Sequence, residues 1–87
     1  MSTLTLETDP LATDIAVDGD TLRVTLDDGR ILSVPVDWYP RLRDASAAQR
    51  ANWRRIGLGE GIHWPDIDED ISVLGLLAGR RQQSRAA

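Results

Sequence analysis

The sequence predicts a single small α+β domain: an antiparallel sheet built from two consecutive hairpins and one short later strand, packed against two or three short helices. Three observations predict it. Apolar and polar residues alternate from Asp14 to Val36, Asp-Gly turns interrupt that alternation at Asp18-Gly19 and Asp28-Gly29, and the pattern after Pro40 changes to short, capped stretches with helical spacing. The chain has 87 residues. A domain of that size buries only about 60 to 65% of its unfolded surface, so one modest core is expected.

Residues 1–13 show no sustained period and contain Pro10, so they read as a flexible lead-in to a domain at 14–79. A two-residue turn at Asp18-Gly19 sets Ile15 opposite Leu22. The second turn is more informative. A two-residue loop at Asp28-Gly29 would put Leu22, Val24 and Leu26 on the face opposite to Leu32, Val34 and Val36. A three-residue loop, Asp27-Asp28-Gly29, instead pairs Val24 with Leu32 and Leu22 with Val34 and gathers all six on one face. Pro35 lacks a ladder donor, so the third strand is an edge on that side or carries a bulge.

Trp38-Tyr39-Pro40 ends this sheet, because Pro40 favours an extended Tyr39 and suits the first position of a helical turn over Pro40 to Arg43. Ser46-Ala47-Ala48-Gln49 is a capping box opening a helix from Ala47 to Ile56, stopped by Gly57 and Gly59. On that helix Gln49, Trp53 and Ile56 face inward, while Arg50 and Arg54 share an exposed face. Ile62 to Trp64 reads as a short strand. Ser72 caps a last helix with Val73, Leu74, Leu76 and Leu77 inward, and the basic tail at 80–87 is expected to fray. In a core without Phe, Trp53 and Trp64 are the principal aromatic contributors, Trp53 foremost.

Composition excludes several function classes. With no Cys there is no disulfide framework and no thiolate metal site, which fits a reducing cytoplasm. No apolar run approaches the ~20 residues of a membrane span, and the start is polar and acidic, unlike a signal peptide. The net charge of −4 is laid out in blocks: −6 over residues 1–40, +4 over 41–59, −5 over 60–72 and +3 over 73–87. Most such patterning is solvated surface and internal pairing.

The stretch from Gly61 to Gly79 concentrates His63, Trp64, Asp66, Asp68, Glu69 and Asp70, which at first resembles a metal cluster. The details disagree. A calcium loop beginning at Asp66 requires Gly where Ile71 stands and Glu where Leu77 stands, and zinc with one His and no Cys would need three carboxylates. The acids read better as a link from strand to helix, with negative charge before the helix N-terminus. No Cys, second His or G-x-S-x-G motif supplies a nucleophile with its base, and Gly57 to Gly61 lacks the spacing of a phosphate loop. An enzyme is not expected, and neither catalytic residues, metal ligands nor cofactors are assigned. The candidates for partner binding are Arg43, Arg50, Arg54, His63, Trp64, Asp66, Asp68 and Asp70.

Three separated motifs, LRVTLDDGRILSVPVDWYPRL, RANWRRIG and GIHWPDIDEDISVLGLLAG, resemble the bacterial domain-of-unknown-function family 2442 (DUF2442) over residues 12–79. That resemblance implies a small α+β domain with no established enzyme activity, sometimes joined to a DNA-binding domain and sometimes encoded beside a small partner as in toxin and antitoxin pairs. It supplies no catalytic residues. The expected function is a non-enzymatic protein-interaction module, an acidic antitoxin-like member of a pair with a small basic protein partner. Homodimerisation through a strand edge or helix packing is compatible with it. The alternative is a nucleic-acid-binding accessory protein using the Arg-rich helix, which an acidic pI and the absence of a basic recognition helix oppose.

Overall fold

A computed structural model of the chain describes residues 9–80. It holds two antiparallel three-stranded sheets, each a meander in chain order, with three short helices. The first sheet comprises β1 (Ala12–Asp18), β2 (Thr21–Leu26) and β3 (Ile31–Pro35); the second comprises β4 (Arg54–Ile56), β5 (Gly61–Trp64) and β6 (Glu69–Ser72). Between them lie a 3-10 turn at Val36–Trp38, α1 (Pro40–Arg43) and α2 (Ala47–Ala51), and α3 (Val73–Leu77) follows β6. No helix among the described residues is long and apolar enough to cross a membrane.

The second hairpin has the expected register: Val24 faces Leu32 and Leu22 faces Val34. Gly29 takes a positive φ of 96° in the loop, where a side chain would be strained. The first hairpin differs. Its turn is Gly19-Asp20, Asp18 pairs with Thr21, and Val17 rather than Ile15 lies opposite Leu22. Because the shift is two residues, the faces are preserved and Ile15 still points into the core. β1 also begins at Ala12 rather than Asp14, with a bulge between those residues.

The expected helix from Ala47 to Ile56 is the main correction. The Ser46–Gln49 capping box forms as read, but α2 ends at Ala51 and Arg54–Ile56 is an edge strand paired with Gly61–His63. Gly57 and Gly59, at φ 60° and 120°, turn a hairpin rather than stop a helix. Ile56 is consequently exposed and Trp53, in the link after α2, is only half-buried. The expected acidic link from strand to helix is likewise a hairpin. β6 pairs Trp64 with Glu69 and Ile62 with Ile71, and Asp68 takes the left-handed φ of 54° in the intervening loop.

Ser72 caps α3 as expected, its Oγ accepting the Gly75 N–H at 2.8 Å. Val73 and Leu76 enter the core, whereas Leu74 and Leu77 are exposed, since a helix of five residues has room for one inward stripe. One core draws on both sheets: Ile15, Leu22, Val24 and Leu26 meet Ile62, Trp64 and Ile71, closed by Val36, Tyr39, Leu42, Val73 and Leu76. The sheets also touch through backbone, where the Ala12 N–H donates to the Gly59 carbonyl at 2.8 Å. The expected lead-in and tail fall largely on residues 1–8 and 81–87, outside the described residues.

Candidate partner-binding site

The arginines expected to form an exposed basic face are mostly committed to the fold. Arg50 lies on α2, and its guanidinium donates to the carbonyls of Leu42 at 3.1 Å, Gly19 at 3.2 Å and Arg43 at 2.8 Å. It thereby ties the β1–β2 turn and the end of α1 to α2, and is a structural clamp rather than a binding residue. Arg43 is paired with Asp44 through Nε at 2.9 Å, and that contact raises the arginine and lowers the aspartate from their ordinary pKa values. Arg41 donates to the Asp68 carbonyl at 2.7 Å. Arg54 and Arg55 on β4 have no side-chain partner among the described residues.

Trp64 leaves the candidate set through burial. Its side chain is 0% exposed and its indole N–H donates to the Arg50 carbonyl at 3.0 Å, so it latches β5 to α2 and presents nothing to a partner. The expected ranking of the two tryptophans is therefore reversed, because Trp53 left the helix face that would have buried it. His63 on β5 is mostly covered, and its Nδ1 lies 2.5 Å from an Asp70 carboxylate oxygen on β6. Arg54, His63 and Asp70 form a row across the second sheet, beside a shallow groove of about 450 Å³ also lined by Arg55, Ile56 and Gly57.

Asp66 and Asp68 sit in the β5–β6 loop, where Asp66 accepts the Asn52 side-chain amide at 3.1 Å. Among the described residues no three His, Asp or Glu side chains converge to hold a metal ion. Glu69, named by the sequence only as one of the clustered acids and not as a partner-binding candidate, is the buried acid of the region. It is 2% exposed, and its Oε1 has no hydrogen-bond partner among the described residues. Burial pushes its carboxyl up from the ordinary value, the Arg41 charge opposes this, and Asp70 and Asp68 add to it. The available signal was its place in E-D-I-S, where strand alternation sends Glu69 and Ile71 to one face.

A second groove, about 470 Å³, lies elsewhere, between β1 and α2. Its walls are Ile15 to Gly19 on one side and Ala47, Arg50, Ala51 and Trp53 on the other. Asp14, Ala16 and Asp18 are exposed along that strand. The sequence did not indicate this groove, which depends on α2 ending at Ala51.

The model of the family described as a protein of unknown function, DUF2442, matches residues 12–82. The chain belongs to that family. A crystal structure of a protein of unknown function from Rhodospirillum rubrum is similar to this DUF2442 chain with a TM-score of 0.77 at 28% identity, covering 91% of this chain and 98% of the other. An uncharacterised protein of Chromobacterium violaceum, solved by NMR, has a TM-score of 0.73 at 22% identity, covering 86% and 71%, and shows the fold alone. Comparison with curated proteins gives no match.

Proposed function

We propose that this DUF2442 domain is a non-enzymatic protein-interaction module, the acidic antitoxin-like member of a two-component pair whose partner is a small basic protein. The observation that carries the reading is the unequal disposition of charge. Arg41, Arg43 and Arg50 of the basic block are held by carbonyls or by Asp44, while Asp14 and Asp20 are exposed with no side-chain partner among the described residues. The surface around Asp14 and Asp20, away from Arg54 and Arg55 on β4, is therefore acidic, which favours a basic partner through complementarity and electrostatic steering. We place the protein in the cytoplasm, where a chain without Cys needs no oxidative stapling.

The test is native co-purification of the tagged protein from its host at low salt. A stoichiometric basic protein, released as salt rises, is expected; recovery of the bait alone would reject the reading. Arg54 and Arg55 favour a second reading, a nucleic-acid-binding accessory protein, since they are exposed and unpaired among the described residues. Fluorescence titration against mixed DNA and RNA separates the two: phosphate contacts require affinity to fall linearly with the logarithm of salt concentration.

A further inference from the structure

We infer that the slot between β1 and α2 receives an extended segment of a partner protein as an added strand, and that this segment alternates basic and apolar residues. The inference rests on the interaction reading above and names its contact surface. Four consecutive residues of β1, Ile15 to Asp18, line the slot together with Gly19 of the turn that follows. Successive side chains of a strand point to opposite faces, so a groove touching all four runs along the strand's edge rather than over one face.

That edge is open over a defined length. Among the described residues the backbone of Thr13 to Asp18 hydrogen-bonds only to β2, whereas Ala12 is held by the Gly59 carbonyl at one end and the Gly19 carbonyl by Arg50 at the other. Between these closures, along about six residues of strand or roughly 20 Å, alternate residues direct unpaired donors and acceptors away from β2. No Pro interrupts them, and the bulge lies at the Ala12 end. Opposite, α2 presents Ala47 and Ala51, four apart on one face and small enough to leave the slot open, and Trp53 supplies an apolar surface.

The occupant's chemistry follows from what each face of β1 would place beside it. On the outer face stand Asp14, which has no side-chain partner among the described residues, Ala16, and Asp18, which is paired with Arg23 of β2; on the inner face stand Ile15 and Val17. A strand laid against β1 thus sets alternate side chains against carboxylates and against the core, which selects Lys or Arg alternating with Val, Ile or Leu. A second copy of the chain does not fit this rule. Antiparallel pairing of two β1 strands about Ala16 sets Asp14 of each against Asp18 of the other, like charges directly opposed.

The test uses three nine-residue synthetic peptides: one alternating Lys and Val, one with the same residues in separate blocks, and one with Glu in place of Lys. Amide and indole NMR shifts of the 87-residue protein are followed on titration. The alternating peptide is expected to move Ile15 to Gly19, Ala47, Ala51 and the Trp53 indole. Ala51→Gln, an exposed substitution that narrows the slot, is expected to weaken it about tenfold or more with the melting temperature retained, and Ala47→Gln to do the same. Equal response to the block peptide, shifts centred elsewhere, or indifference to both substitutions overturns the proposal. So do concentration-dependent shifts at these residues without peptide, which would mean a second copy occupies the slot. Co-purification with wild-type and Ala51→Gln baits separates the two levels: a partner held equally by both refutes the slot and leaves the interaction reading intact. A partner on neither removes both.

Discussion

Among the described residues Glu69 is the buried charged side chain: a carboxyl on β6 beside Tyr39, with Oε1 unpaired among those residues and only the charge of Arg41 favouring ionisation. Tyr39 answers to the same burial and to Glu69, its hydroxyl pushed up to about 12. A carboxyl whose folded pKa lies above its unfolded one binds more protons in the folded state, so stability falls as pH rises from about 4.5 through the raised value. Denaturant melts across that range should show the decline, and Glu69→Gln should flatten it. Glu69→Met, which removes the buried charge at similar volume, should gain on the order of 1 kcal/mol or more at pH 7. Trp64 is the opposite case, an apolar ring with its one polar atom satisfied. Trp64→Ala should cost about 3 to 5 kcal/mol, against about 1 to 2 for the half-buried Trp53→Ala, as read from urea midpoints. A Trp53→Ala protein less stable than Trp64→Ala would contradict this core.

At the scale of elements, the short helices are held in place by single side chains rather than by their own length. A five-residue helix such as α2 has no independent stability, and Arg50 substitutes for it by joining three carbonyls from two other segments. Arg50→Ala should lower stability by about 1.5 to 3 kcal/mol in denaturant melts, and Arg50→Lys should recover little of it, because an ammonium lacks the planar fork that reaches all three oxygens. This reliance on long-range clamps explains what was legible in the chain. The β2–β3 register, the capping box at Ser46 and the cap at Ser72 could be read because each is decided by residues within a few positions of one another. The second sheet could not, since RRI and EDIS carry too few residues to show a period. Their strand character comes from pairing with GIHW, and Arg54 to Ile56 continued a helical pattern equally well. The same limit hid the candidate site. The slot exists because α2 stops at Ala51, and Arg50 looked exposed because nothing local reveals the carbonyls it reaches.

For the molecule as a whole, the question is whether the two sheets are one cooperative unit, and the contacts argue that they are. Each three-stranded meander has one apolar face, and the faces share a core to which Leu22 and Val24 of β2 contribute as fully as Ile62 and Trp64 of β5. Neither sheet retains a buried face without the other. The junction is Gly59, whose φ of 120° and whose approach to Ala12 leave no room for a side chain: a Cβ there would lie 2.5 Å from the Ala12 carbonyl oxygen. Gly59→Ala therefore strains the turn and forces the sheets apart, at an expected cost of about 2 kcal/mol or more. If the domain opens as one unit, native-state hydrogen exchange should give the slowest amides of β2 and of β5 the same opening free energy, and Gly59→Ala should lower both by the same amount. If the substitution instead lowers protection in β4–β6 and spares β1–β2, the first sheet folds on its own. The β1 edge would then be presented by a unit independent of α2, and a binding slot between them would lose its structural basis.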